Sequence, residues 1–143
     1  MKIPQISVFM ENRSGRLARI TTALGNAGVN IRAMSLADTS DFGILRLIVS
    51  DMEKAASVLK EHGFLVRTAE VVAVAIPDVP GALGNLLTIM EHADLNVEYM
   101  YAFVEKSRDH AILIFRFDDL DKAIDMMLEN DINVLEARKV LSM

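Results

Sequence analysis

Asp78-Val79-Pro80-Gly81-Ala82-Leu83, with Asp94-Leu95-Asn96-Val97 soon after it, restates an earlier stretch of the same chain: Asn12-Arg13-Ser14-Gly15-Arg16-Leu17 with Gly28-Val29-Asn30-Ile31. A shift of 66 positions aligns the two. It also pairs Val8 with Val74, Thr22 with Thr88, Ala27 with Ala93 and Met34 with Met100. From residue 44 onward the shift is 68, pairing Ile44 with Ile112, Leu45 with Leu113, Asp51 with Asp119, Lys54 with Lys122, Glu61 with Glu129 and Ala69 with Ala137. The second copy therefore gains two residues opposite positions 38–43, which suits a hairpin tip, where insertions are tolerated. An ordered series of identities, with polarity agreeing between them, means an internal duplication.

Each copy reads as strand, helix, strand, strand, helix, strand. The first strands are Gln5 to Glu11 and Val71 to Pro77. Leu17, Ile20, Thr21, Leu24 and Ala27 recur at the spacing of one buried helical face, as do Leu83, Leu86, Leu87, Met90 and Ala93. Gly28 suits the left-handed position past a helix end, and Asp94 fits it less easily. Val29 to Ala37 and Phe42 to Ser50 follow as strands, matched by Leu95 to Val104 and His110 to Phe117. Asp51 and Asp119 are expected N-caps of second helices that Gly63 and Asp131 end. Phe64 to Glu70 and Ile132 to Val140 are expected last strands. The junction near Glu70 has no Gly, Pro or Ser cluster, so the two copies are expected to be close-coupled. The domains read as 1–70 and 71–143.

Two helices per four-stranded sheet cover one sheet face, and a solvated second face would alternate strictly. Val71-Val72-Ala73-Val74-Ala75-Ile76, Ile112-Leu113-Ile114-Phe115 and Leu47-Ile48-Val49 are apolar at both parities. Both faces are therefore expected to be buried in places, the second by something beyond the copy's own helices. Sheet faces of two chains packed together in a homodimer would supply it.

Composition narrows the function. The 143 residues are 52% hydrophobic, which excludes a disordered polymer. Cys is absent, removing disulfides, zinc-thiolate sites and thiol nucleophiles, and this fits a reducing cytoplasm. The N-terminus lacks a signal-like apolar run, and the longest apolar run, Val71 to Pro77, is a strand's length, not a membrane span. A net charge of −5 argues against nucleic acid, since phosphate contacts need clustered Lys and Arg. His62, His92 and His110 stand apart without ligand spacing and read as structural or solvated. Gly25-Asn26-Ala27-Gly28 ends a helix instead of opening one, so it is no phosphate cradle. The Asp118-Asp119-Asp121 cluster begins a helix, where carboxylates suit the dipole. No cofactor, metal or catalytic residue is expected.

One duplicated constellation is polar: Asn12 to Gly15 with Asn30, and Asp78 to Gly81 with Asn96, the polar residue and the Asn lying 18 positions apart in both copies. A strand-to-helix turn presents unpaired amides to a carboxylate, and an Asn offers both a donor and an acceptor. The bland reading is equally available: Asn12 and Asp78 cap helices, and Asn30 and Asn96 fix turns. Duplication would copy structural caps too.

At these residues the sequence resembles the ACT domain family, the ligand-sensing modules of amino-acid-metabolic enzymes. The shared signature is a polar strand end, x-x-Gly-x-Leu, a helix, then Gly/Asp-x-Asn-Ile/Val. Asp78-Val79-Pro80-Gly81 is the closer match, while Ser14 stands where Pro is usual. The resemblance covers about residues 5–70 and 71–140, leaving no room for a catalytic domain in this chain. It implies an α+β fold of two ferredoxin-like βαββαβ units whose antiparallel four-stranded sheets join side by side, through their second strands, into one eight-stranded sheet with helices on one face. It implies two amino-acid sites. One combines Asn12, Arg13, Ser14, Gly15, Arg16 and Leu17 with Asn96 and Val97. The other combines Asp78, Val79, Pro80, Gly81, Ala82 and Leu83 with Asn30 and Ile31. The expected protein is then a cytoplasmic, non-enzymatic, allosteric regulatory sensor that binds an amino acid and acts on an amino-acid-metabolic enzyme. The alternative is a ligand-free adaptor that dimerises and docks onto such an enzyme.

Overall fold

The computed structural model describes residues 1–11, 13–38, 41–103 and 109–143. Asn12 and most of the two hairpin tips, where the two-residue insertion falls, lie outside the described residues. The chain divides into two units. The N-terminal unit holds Pro4–Ala69 with Leu141–Met143, and the C-terminal unit holds Met1–Ile3 with Glu70–Val140.

In the N-terminal unit β1 (Ile3–Glu11), α1 (Arg16–Asn26), β2 (Ile31–Asp38), β3 (Phe42–Val49), α2 (Met52–Glu61) and the start of β4 (Leu65–Pro77) follow in sequence. The strand order is β2-β3-β1-β4, with β3 antiparallel to both β1 and β2. Ile6, Val8 and Met10 share one face of β1, and with Leu45, Leu47 and Val49 of β3 they bury Ile20 and Leu24 of α1 and Ala55 and Leu59 of α2. Each fully buried Leu or Ile removes enough apolar surface to contribute about 1.5–3 kcal/mol. The Asp51 carboxylate accepts from Lys54 N at 3.1 Å, the N-cap read from the sequence.

The C-terminal unit repeats the plan with the remainder of β4, α3 (Ala82–His92), β5 (Val97–Ala102), β6 (His110–Phe117), α4 (Leu120–Glu129), β7 (Asn133–Val134) and α5 (Ala137–Leu141). Its order is β5-β6-β4, all antiparallel, and β7 pairs the other edge of β4. Val72, Val74 and Ile76 pack with Phe115 and Phe117 beneath Leu86, Met90, Ile124 and Met127. Asp119 caps α4, accepting from Lys122 N at 3.0 Å. Asp94 and Asp131 adopt left-handed φ values of 56° and 58°, where the first copy has Gly28 and Gly63. The architecture is two ferredoxin-like units.

Three expectations need correction. The described residues hold seven strands, not eight plus a junction. Phe64–Glu70 and Val71–Pro77 fuse into the single strand β4, because nothing between Leu65 and Pro77 breaks an extended backbone. The last strand, expected over Ile132 to Val140, is only Asn133–Val134. The residues after it, Ala-Arg-Lys-Val-Leu, are mostly strong helix formers, and Val140 N donates to Glu136 O at 3.1 Å. Finally, part of the apolar second face is covered within one chain: Val71, Ala73 and Ile114 are fully buried and Ile112 nearly so, while Phe42 and Leu65 are exposed.

Candidate functional site

The two turns singled out by the duplication have the same backbone. Gly15 has φ 86° and ψ −11°, and Gly81 has φ 90° and ψ −13°. Both are N-caps in left-handed conformation, which an L side chain adopts only with strain. An added Cβ would meet nothing within 4 Å at either glycine. Conformation, not crowding by this chain, therefore requires glycine, and the space above each turn is open. Arg16 N donates to Arg13 O and Ala82 N to Val79 O, both at 3.3 Å. Arg19 N reaches Gly15 O at 3.0 Å and Asn85 N reaches Gly81 O at 2.9 Å, closing the first turn of α1 and α3 alike.

A glycine cap has no side chain to offer, so neither N-cap residue makes a side-chain cap bond. This decides against one bland reading: the N-cap of α3 is Gly81, not Asp78. Asp78 instead donates its backbone N–H to Asp109 O at 2.8 Å. The first-turn amides of a helix suit water or an anionic ligand. The basic groups of the first turn are partly engaged. Arg13 and Arg16 lie 3.2 and 3.8 Å from Glu11 Oε2.

Asn30 and Asn96 also match each other. Asn30 N donates to Ser50 Oγ at 2.9 Å and Ser50 N to Asn30 O at 2.9 Å. Asn96 N donates to Asp118 Oδ1 at 3.0 Å and Asp118 N to Asn96 O at 3.1 Å. The following strand has a register shift at the same place in both copies, between Ile31 and Ala33 and between Val97 and Tyr99. These bonds use only the backbone of the asparagines. Both side chains are exposed, and no bond to either amide is found among the described residues. The turn-fixing role is thus met by the main chain, leaving the amides available to a ligand.

Within the C-terminal unit the predicted residues fall into separate cavities. Val79, Pro80 and Ala82 open on one between α3 and the end of β4, whereas Asn96 and Val97 border another with Glu91, Asp94 and Asp118. The sequence reading missed Asn85, His110 and Asp131 in the first cavity. No group of three His, Cys, Asp or Glu among the described residues is placed to hold a metal, and no helix is long and apolar enough to cross a membrane.

A family model for the ACT domain pair matches residues 1–143. The chain belongs to the ACT domain pair family. This ACT pair is similar over its full length to protein BT0572 from Bacteroides thetaiotaomicron, at 36% identity and a TM-score of 0.94, with 100% of this chain and 98% of that one covered. The regulatory subunit of aspartate kinase from Thermus thermophilus, in ligand-free form, shares the fold at 13% identity and a TM-score of 0.63. Its counterpart from Thermus flavus does so at 15% and 0.62. In both cases 88% of the ACT pair and 90% of the other chain are covered. No curated protein matches the ACT pair in sequence.

Proposed function

We propose that this ACT pair is a regulatory sensor that binds an amino acid where its two units meet and thereby changes its contacts with an amino-acid-metabolic enzyme. The observation that carries the reading is the twinned turn: a left-handed glycine as the helix N-cap and an exposed asparagine whose amide makes no bond among the described residues. The helix amides suit the ligand carboxylate, and an asparagine amide accepts from its ammonium. The proposed contacts are those the resemblance implies. Asp78 to Leu83 act with Asn30 and Ile31, and Asn12 to Leu17 act with Asn96 and Val97. Fold-sharing aspartate kinase subunits that are named regulatory support the role. The chain supplies no catalytic residue to this proposal and acts through a partner.

The expected homodimer now has a different basis. β2 and β5 each end the strand order of their own unit, and an unpaired strand edge can accept a strand from a second chain. Binding shifts such assembly or docking only by its differential affinity for the two states. A thermal-shift screen of the twenty amino acids tests the proposal. A ligand at 100 times its Kd adds about 2.7 kcal/mol of stability.

A further inference from the structure

We infer that the N-terminal unit carries an anion site on its helical side, a cleft between α1 and the end of α2 that takes the phosphate group of a small monoester. The cleft measures about 320 Å³, at the small end of the range of small-molecule sites. Ala18, Arg19, Thr22, Ala23 and Asn26 of α1 line it, with His62 at the end of α2. Ala18, Thr22 and Asn26 recur every fourth residue and so share one face of the helix. The buried Ala23 is the floor. None of the described turn residues, 13–17, lines the cleft, so it stands whether or not an amino acid binds at the turns.

Its polar groups are unspent. Arg13 and Arg16 lie 3.2 and 3.8 Å from Glu11 Oε2, but Arg19 enters no ion pair among the described residues. Its guanidinium carbon sits 5.5 Å from the centre of the Phe64 ring, a contact that consumes none of its five N–H donors. His62 Nδ1 lies 2.8 Å from Val58 O. A carbonyl only accepts, so Nδ1 carries the proton and Nε2 is left for a ligand. The Thr22 hydroxyl and the Asn26 amide make no bond among the described residues, and no carboxylate lines the cleft. The last carbonyls of α2, which would repel an anion, are engaged: Val58 O, Leu59 O and Lys60 O accept from His62 N, Phe64 N and Gly63 N. A guanidinium fork takes two phosphate oxygens at once, and a tetrahedral group still presents a third to Thr22 or His62, which a flat carboxylate lacks. Asn26 lies two turns beyond Arg19, about 10 Å along the axis, where it meets the polar body that carries the phosphate.

The duplication supplies an internal control. By the shift of 66, Asn85 stands where Arg19 is and Ile89 where Ala23 is; by the shift of 68, Asn130 stands where His62 is. In that copy Thr88 Oγ donates to Gly84 O and Asn130 Nδ2 to Met126 O, each at 2.8 Å. The matching ground of the C-terminal unit therefore lacks the cation, carries a bulkier residue at the floor position and spends its hydroxyl inside the helix. Charge points the same way. The N-terminal unit has eight Lys and Arg against six Asp and Glu, the C-terminal unit seven against fourteen. An anion is drawn to the first and repelled by the second.

The test is an NMR titration of the ¹⁵N-labelled full chain, at constant ionic strength, with glycerol 3-phosphate, inorganic phosphate, acetate and glycerol. Glycerol 3-phosphate is expected to give saturable shifts centred on Ala18, Thr22, Ala23, Asn26 and His62. Inorganic phosphate should give the same shifts with weaker binding, and acetate and glycerol should bind at least about tenfold more weakly than the ester. Arg19→Gln, at an exposed position, is expected to abolish the shifts while the rest of the spectrum is kept. Arg19→Lys, which keeps the charge without the fork, should weaken binding, and Ala23→Ile, the sister residue, should close the cleft. The inference is overturned if the ester gives no saturable shifts, or if the shifts centre on Gly84, Thr88 and Asn130 or spread evenly over the basic residues. It is overturned equally if Arg19→Gln leaves them intact, or if acetate or inorganic phosphate binds as tightly as the ester.

Discussion

Gly15 and Gly81 hold the same left-handed backbone, φ 86° and 90°, each as the N-cap of a helix. Since a Cβ at either meets no neighbouring atom, the cost of a side chain there is backbone strain alone. Gly15→Ala and Gly81→Ala should each lower stability by about 1–2 kcal/mol, read as a reduced urea midpoint at unchanged slope. An effect near zero would mean that the turn relaxes to another conformation.

The caps of the second helices give a matched pair. Asp51 and Asp119 accept from Lys54 N and Lys122 N at 3.1 and 3.0 Å. Asp51→Ala and Asp119→Ala should each lose about 1 kcal/mol in denaturant unfolding, and Asp→Asn at either position should lose much less, because Asn caps nearly as well.

Lys2 Nζ lies 2.8 Å from Asp121 Oδ1 in the C-terminal unit. The hydrogen bond to Asp121, with the charge attraction of that carboxylate, raises the Lys2 pKa above its ordinary 10.5. A raised folded-state pKa gives stabilisation that is complete below the unfolded value and lost as pH climbs through the folded one. The pair is exposed, so the effect is small and screened by salt. Lys2→Met should therefore be slightly less stable than the parent from neutral pH to about the ordinary lysine value, and the gap should close in more alkaline solution. A gap that widens with rising pH would contradict the assignment.

Much of the fold was legible because the chain states it twice. Asp51 with Asp119, Gly28 with Asp94 and Gly63 with Asp131 mark the same helix boundaries in both copies, and each performs the expected local role. The same habit misled at the C-terminus. Ile132 to Val140 was read as a strand because its sister segment is one, although Ala137-Arg138-Lys139 favours helix locally. Apolar runs such as Val71 to Ile76 correctly signalled two buried faces, but burial within one chain and burial between chains leave the same pattern in sequence. Which elements the turns face was not readable either, since spacing along the chain does not report it.

Burial of Val71, Ala73, Ile112 and Ile114 in the single chain changes what self-association depends on. A dimer built on the edge of β2 should be broken by a proline that removes an edge N–H, and Leu36→Pro is the suitable variant, because the bond from Phe103 N to Ile112 O in the second copy places the N–H groups of Ala37 and Ser35 on the β3 side. Sedimentation at micromolar concentration should show a species of twice 15.8 kDa for the parent and 15.8 kDa for the variant. A parent that sediments at 15.8 kDa would remove the dimer from the account.

Isothermal calorimetry of the full chain with each of the twenty amino acids at millimolar concentration tests the central claim most directly. At least one amino acid should bind saturably. Asn30→Ala should weaken that binding by about 1–2 kcal/mol if the ligand occupies the Asp78 to Leu83 site, and Gly81→Val should abolish it there. Asn96→Ala and Gly15→Val should do the same for a ligand of the other turn. No saturable heat with any amino acid, from protein shown to be folded, would contradict the sensor reading and leave the adaptor.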